Sequence, residues 1–462
     1  MIFSRNSVVP NGISVLQCLG FLLLFLQLSK AENPIVQDIY TADPAPIVHD
    51  NRVYIFTGHD EDGSTEYKLN EWRLFSSSDM SNWQHHPSPM SISTFSWASS
   101  RAWAGHVINR DGKFYFHVPV RHGATGNMAI GVGISDDITG PYVDAIGKPL
   151  LENNEIDPAA FVDDDGQAYL YWGNPGLWYV TLNEDMISYS GQMIQMQQTV
   201  ESFGPSWRPD LSDDQDRPTS YEEAPWLYKR DGTYYMIYAA NCCPEDIRYS
   251  TGPSPTGPWT YEGRIMDVHG TSSTNHPSIV EYKGVAYFVY HNGALPGGGS
   301  YTRSVSVESF KYNEDGSIPE LKMTKEGPPQ VGSLDPFVRQ EAETMAWSKG
   351  IETETCSEGG LDVNYINDGN YIKVRGVGFG DGAETFRARV ASGGNGGAID
   401  LHLDKEDGKV IGTCEVKNTG GWQKWVTVDC PVNKETGTHD LYFVFAGEGT
   451  RNLFSFNWWQ FE

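Results

Sequence analysis

The chain is poor in cysteine, in positive charge and in long apolar runs, and each shortage removes a class of function. Only six cysteines are spread over 462 residues, and Cys18 lies in a leader-like segment. No C-x-x-C pair and no H-x-x-x-H spacing occurs, which excludes a zinc knuckle and argues against a zinc hydrolase. Lys and Arg total 33 against 60 Asp and Glu, a net charge of −27. Nucleic acid and anionic membrane would be repelled by such a surface, whereas a neutral polysaccharide would not. No N-x-Ser/Thr sequon is present, so N-glycans are not expected. A single apolar run, Val15–Leu28, follows Arg5 and ends at Ser29-Lys30-Ala31. Residues 1–31 therefore read as a secretory signal too short to span a membrane, and the protein is expected to be secreted and monomeric.

What is abundant is a repeated design. Asp43 precedes Pro44 and stands 11 residues before Tyr54, and Asp157 precedes Pro158 and stands 12 before Tyr169. Glu223 opens Glu-Ala-Pro 12 before Tyr235, His276 precedes Pro277 11 before Tyr287, and Trp103 stands 12 before Tyr115. Each tyrosine lies in a β-rich run preceded by a turn such as Arg110-Asp111-Gly112 or Lys283-Gly284. No long stretch has helical periodicity. Five copies of one unit indicate an all-β propeller or array, in which equivalent positions meet around one axis.

Two Asp, one Glu, one His and one Trp would then share a pocket. Glycoside hydrolysis needs such a set: an acid to protonate the leaving oxygen and a carboxylate to activate water or attack the anomeric carbon. Glu223 and Asp43 supply these on non-adjacent repeats, and Asp157 close to Glu223 would raise the Glu223 pKa by like-charge repulsion. His276 would bind a metal or water on the axis, or hold the carboxylates by hydrogen bonds. Trp103 and Trp72 would form the apolar wall of a sugar subsite, and Arg303, in a loop after Gly297–Gly299, would reach a sugar hydroxyl.

The repeats occupy 32–324. A Pro/Gly-rich linker follows at 325–338 (KEGPPQVGSLDPFV), and 339–462 reads as a separate β-sandwich with strands such as AIDLHL and HDLYFVFA. Cys414 and Cys430 flank a turn at Thr419-Gly420-Gly421, which would place them opposite each other in an antiparallel hairpin and pair them, with Cys356 as the competing partner. Cys242 and Cys243 would be free or joined to each other.

YTADPAP (40–46), EIDPAAFVDDDGQAYLYWG (155–173), YEEAPWLYKRDGTYYMIYA (221–239) and TNHPSIVEYKG (274–284) resemble glycoside hydrolase family 43. The resemblance implies a five-bladed propeller and an inverting β-xylosidase or α-L-arabinofuranosidase acting on xylan, arabinoxylan or their oligosaccharides, with endo-arabinanase or xylanase action as an alternative. It implies Asp43 as general base, Asp157 as pKa modulator, Glu223 as general acid, and His276 near an axial ion, often calcium, or water. EAE (341–343), NYINDGNYIKV (364–374), TGGWQKW (419–425) and LFSFNWWQF (453–461) resemble carbohydrate-binding module family 6, a jelly-roll sandwich. That likeness implies Tyr365 and Trp422 as the aromatic pair holding a sugar, and Glu341 and Glu343 at a structural calcium site; it implies no organic cofactor. It also implies a polar Asn where this chain has Ser455. A secreted glycan-binding protein without catalysis is the reading from another class, and the full trio of acids argues against it.

Overall fold

The computed structural model describes residues 32–206, 219–268, 270–449 and 452–462, so the leader-like segment 1–31 lies outside the described residues. Five antiparallel sheets follow one another along the first two thirds of the chain. Each contains the repeated hairpin noticed in the sequence. Its first strands are Thr41–His49, His106–Arg110, Ala159–Val162, Tyr221–Arg230 and Ser278–Tyr282. The five tyrosines lie in the second strands and pair with Ile47, Ile108, Phe161, Tyr228 and Val280. The nearly constant spacing from functional residue to tyrosine is thus the length of one hairpin arm plus its turn. Strand interiors are dense in β-branched and aromatic residues, and the cores they bury, such as Phe56, Trp72 and Phe116, lie between sheets.

The start of the described chain joins the first sheet to the last. Ile35 N donates to Val305 O at 2.9 Å and the Asn33 amide to Val307 O at 3.0 Å. Ile35 and Val36 share a buried cluster with Val53, Val289 and Val305.

Two further sheets enclose a separate core. One holds Glu352–Thr355, Leu361–Asn364, Thr385–Ala391, Val426–Pro431 and Ser455–Phe461, and the other Trp347–Lys349, Tyr371–Gly380, Gly397–Leu403, Lys409–Val416 and Gly437–Ala446. Phe443 from one sheet meets Phe386, Phe456 and Trp459 from the other with ring centroids 5.2–5.8 Å apart. Cys414 and Cys430 are bridged, with Cα atoms 5.3 Å apart, but not as a hairpin pair. Their strands lie in different sheets, so the bond ties the two layers across the core. The turn at 419–421 is a crossover, which a midpoint argument cannot tell from a hairpin. Cys356 is buried and unbridged.

Residues 325–338, read as a linker, are hydrogen-bonded to both units. Val331 N donates to Asp79 O at 2.8 Å, and Leu334 N to Gly376 O at 3.0 Å. The short strand Thr344–Met345 then adds to the edge of the first sheet, against Gln84 and Trp83. Asn82 and Arg375 exchange two bonds, from Asn82 Nδ2 to Arg375 O at 3.0 Å and from Arg375 N to Asn82 Oδ1 at 2.8 Å.

Candidate active site

Asp43, Trp103, Asp157, Glu223 and His276, each in or just before the first strand of one hairpin, line a single pocket of about 260 Å³. The local backbone explains how. Asp43 and Asp157 adopt left-handed φ of 52° and 61°, and Ala224 does so at 57°. All three directly precede a proline, so the residue aligned with the two aspartates is Ala224, and Glu223 reaches the pocket from one position earlier with a longer side chain. Strand register shifts at Ala42/Ala45 and on both sides of Glu223, and such bulges re-aim side chains at sheet ends. A left-handed φ is costly for a non-glycine residue, so the surroundings must hold it. The Asp43 amide donates to His291 Nδ1 at 3.1 Å, while His291 Nε2 donates to Thr274 O at 2.9 Å.

Asp43 Oδ1 accepts from Arg303 Nη1 at 2.8 Å. Arg303 is not an exposed loop residue. It is buried, and its Nε and Nη2 grip Asp60 at 2.9 and 2.9 Å. Burial disfavours its charge, but Asp43 and Asp60 outweigh that and raise its pKa. Asp157 Oδ2 accepts from Ala224 N at 3.1 Å, which ties the third sheet to the acid's backbone. Glu223 Oε2 accepts from the Asn174 amide. Burial, then the charges of Glu222 and Asp43, lift Glu223 to about 7. Burial and the charges of Glu223 and Asp43 raise Asp157 well above the ordinary range. Like-charge repulsion from Glu223 acts on Asp157, but the charges that raise Glu223 are those of Glu222 and Asp43 and not the Asp157 charge expected from the sequence, and Glu222 is the largest of them.

His276 Nδ1 stands 4.0 Å from Asp43 Oδ1, and burial together with Arg303 lowers its pKa to about 3, leaving a neutral ring. Such a ring can ligate a cation, but among the described residues His276 belongs to no close set of three His, Cys, Asp or Glu ligands. An ion there would complete its shell mainly with water.

Trp103 lines the pocket, with its indole N–H donating to Tyr67 O at 3.1 Å and Arg101 4.6 Å above its ring. Trp72 does not reach the pocket. It is 1% exposed and donates from Nε1 to Trp103 O at 2.8 Å, so it supports the wall from behind. Tyr67, Asn174, Glu222, Glu245 and the bridged pair Cys242–Cys243 also line the pocket, with Ala104, Ile156 and Thr274, and none was given a place there by the sequence. A signal existed for Asn174 and for residues that stand at the same strand ends. Asp60, Asn174, Asn241 and His291 each lie four to six residues after a repeat tyrosine, where the second strand ends.

In the C-terminal unit, Tyr365 and Trp422 are 43% and 39% exposed and line a second cleft of about 180 Å³ with Asn452 and Ser455. Gly393 and Gly394 leave room for the indole to lie against the backbone, since a Cβ on either would meet it at 2.9 or 3.2 Å. Asn452 stands where a polar contact to a ligand is wanted, while Asn457 is buried. Glu341 is engaged by Arg339 at 2.8 Å. Glu343 is buried, and its Oε2, Asp362 Oδ1 and Asn457 Oδ1 have no hydrogen-bond partner. Burial, followed by the charges of Glu341 and Asp362, raises the Glu343 pKa well above the ordinary range. Unpaired hard oxygens of this kind fit a calcium ion.

Residues 31–318 match the profile of Glycosyl hydrolases family 43, and 341–462 that of Carbohydrate binding module (family 6). An arabinoxylan arabinofuranohydrolase of Bacillus subtilis (strain 168) is 34% identical over 93% of this chain and 92% of its own length. Xylosidase/arabinosidase 43A of Humicola insolens is 31% identical over 62% of this chain and 98% of its own. The crystal structure of a family 43 arabinoxylan arabinofuranohydrolase from Bacillus subtilis, in complex with cellotetraose, superposes with a TM-score of 0.79 at 32% identity, over 93% of this chain and 97% of that one. Acids gathered from successive sheets, one of them raised to about 7, and these likenesses over nearly the whole chain lead to one conclusion: the protein is a glycosidase of glycosyl hydrolase family 43 that carries a family 6 carbohydrate-binding module.

Proposed function

We propose that the enzyme releases arabinofuranose or xylose from arabinoxylan, xylan and their oligosaccharides by single displacement with inversion. The observation that carries this is the division of labour between two carboxyls in one pocket: Glu223, lifted to about 7 and bonded to Asn174, and Asp43, pinned through Oδ1 by Arg303. Glu223 protonates the leaving oxygen. Asp43 takes a proton from the water that attacks the anomeric carbon, Asp157 fixes the acid's backbone through Ala224 N, and burial with the charges of Glu222 and Asp43 favours the protonated acid. The five successive sheets are read as the blades of a propeller, which accounts for one chemical residue at each hairpin reaching one pocket.

The substrate class is supported by the relatives' names, arabinoxylan arabinofuranohydrolase and xylosidase/arabinosidase. Tyr365 and Trp422 would hold polymer in the jelly-roll module, a calcium ion would sit at Glu343 with Asp362 and Asn457, and residues 1–31 would direct secretion of a monomer. The decisive experiment combines nitrophenyl pentosides and arabinoxylan with NMR of the first product. Release of pentose with inverted configuration is expected; a retained anomer, or no pentose from any of these substrates, overturns the reading.

A further inference from the structure

The turn 241–245 carries side chains that the acid–base chemistry leaves unused. It joins strand Thr233–Ala240 to strand Asp246–Gly252, and Ala239 pairs with Glu223. The turn therefore stands at the end of the acid's own sheet. It is tied down on both flanks: Asn241 N donates to Ser220 O at 3.0 Å, Glu245 N to Ser273 O at 3.1 Å, and Asn275 N to Glu245 Oε2 at 2.6 Å. Cys242 and Cys243 are bridged and both line the pocket, Cys242 half-buried and Cys243 exposed.

A bond between adjacent cysteines closes a small ring through the peptide that joins them. The ring has little torsional freedom and presents sulfur and methylene groups, a soft apolar surface. The pocket wall combines carboxyls, an amide and a guanidinium, which suit sugar hydroxyls, with apolar surface from Tyr67, Trp103, Ala104 and Ile156. A pyranose also has a C–H face that favours an apolar neighbour. A bridge needed only to brace the turn has no reason to expose Cys243 beside the pocket, since the backbone bonds on either flank already hold the turn.

We propose that the Cys242–Cys243 bridge is the platform on which the leaving-group sugar lies, and so helps to select the xylosyl residue to which the released pentose is attached. The assignment of side rests on the proposed function: Glu223 protonates the leaving oxygen, so the sugar retained after cleavage lies towards the acid's sheet, where the turn stands.

The test compares wild type with the double variant Cys242→Ala/Cys243→Ala on two substrates. One is an arabinofuranosyl xylo-oligosaccharide, whose leaving group occupies the subsite; the other is the arabinofuranosyl fluoride, whose leaving group is a lone ion. The variant is expected to lose about tenfold in kcat/KM on the oligosaccharide, chiefly through KM, with the fluoride unaffected. Equal losses on both substrates, or none on the oligosaccharide, overturn the proposal. Wild type serves as the control for the underlying reading: if it cleaves the oligosaccharide and the variant does so equally well, the platform alone fails. Should the variant not fold, phosphine reduction of the wild-type bridge, followed by alkylation and peptide mass mapping, gives an independent readout. Saturating xylo-oligosaccharide should slow modification at Cys242 and Cys243 and leave Cys414 and Cys430 unaffected; no protection overturns the platform.

Discussion

Arg303 Nη1 lies 2.8 Å from Asp43 Oδ1, and the rest of the same guanidinium is occupied by Asp60. A residue 260 positions away in sequence thus sets where the proposed base points. Lysine cannot reproduce the fork that holds two carboxylates. Arg303→Lys should lower kcat by about a hundredfold with a small effect on KM, because a misdirected base loses rate before it loses affinity. Asp60→Asn should give a partial loss of the same kind. A rise in KM with kcat preserved would show that Arg303 binds sugar instead.

The acid predicts its own pH profile. With Glu223 lifted to about 7, activity on unactivated oligosaccharides should fall as pH rises through that value, since the proton to be donated is gone. Glu223→Gln should remove this alkaline limb and cost about 10²–10⁴-fold on oligosaccharides, far more than on dinitrophenyl glycosides. Glu222→Gln removes the largest charge that raises Glu223, so the limb should move to lower pH with kcat on activated substrates little changed. An unmoved limb would contradict this coupling.

The same raised pKa has a consequence for stability with a definite sign. Between the ordinary glutamate value of 4.5 and about 7 the folded protein binds more protons at Glu223 than the unfolded chain, so this group's contribution falls as pH rises through that window. Above it, ionised Glu223 is buried beside other acids at a cost of up to about 3 kcal/mol. Glu223→Gln, and likewise Asp157→Asn, should therefore raise Tm at pH 8 and have little effect at pH 4.5. Thermal denaturation at both pH values checks this, and a Tm that falls at pH 8 contradicts it.

The second cleft should act separately from the first. Trp422→Ala should abolish binding to insoluble xylan while leaving Tm and small-substrate kinetics in place, because the indole is exposed and lies over glycines. Truncation after Gly332 should be different in kind: it removes Thr344–Met345 from the first sheet and the Asn82–Arg375 bonds, so the remaining chain should melt at a lower temperature. Pull-down on xylan and calorimetry of both proteins distinguish the two effects.

The repeat was legible because a hairpin imposes nearly constant spacing: five residues 11 or 12 positions before five tyrosines do line one pocket. Spacing along a strand says nothing of which wall a neighbour joins, so Trp72 was assigned to the pocket when it packs behind Trp103. The positions of Asp60 and His291 at strand ends were legible but their roles were not, because their partners, Arg303 and Asp43, come from opposite ends of the five sheets. Cys414 and Cys430 were paired correctly from a hairpin that does not exist, since proximity across a sandwich and proximity across a turn leave the same short separation in sequence.

The strand Thr344–Met345 also bears on the order in which the chain can fold. The first sheet begins at Thr41, yet its last strand arrives some 300 residues later, and its neighbouring core needs Val305 and Val307 as well. During synthesis the earliest hairpins must wait, partly paired and with an open edge, until nearly three quarters of the protein has been made. The first sheet to be translated is among the last to be finished, and that interval is when the nascent chain is most exposed to mispairing with another copy of itself.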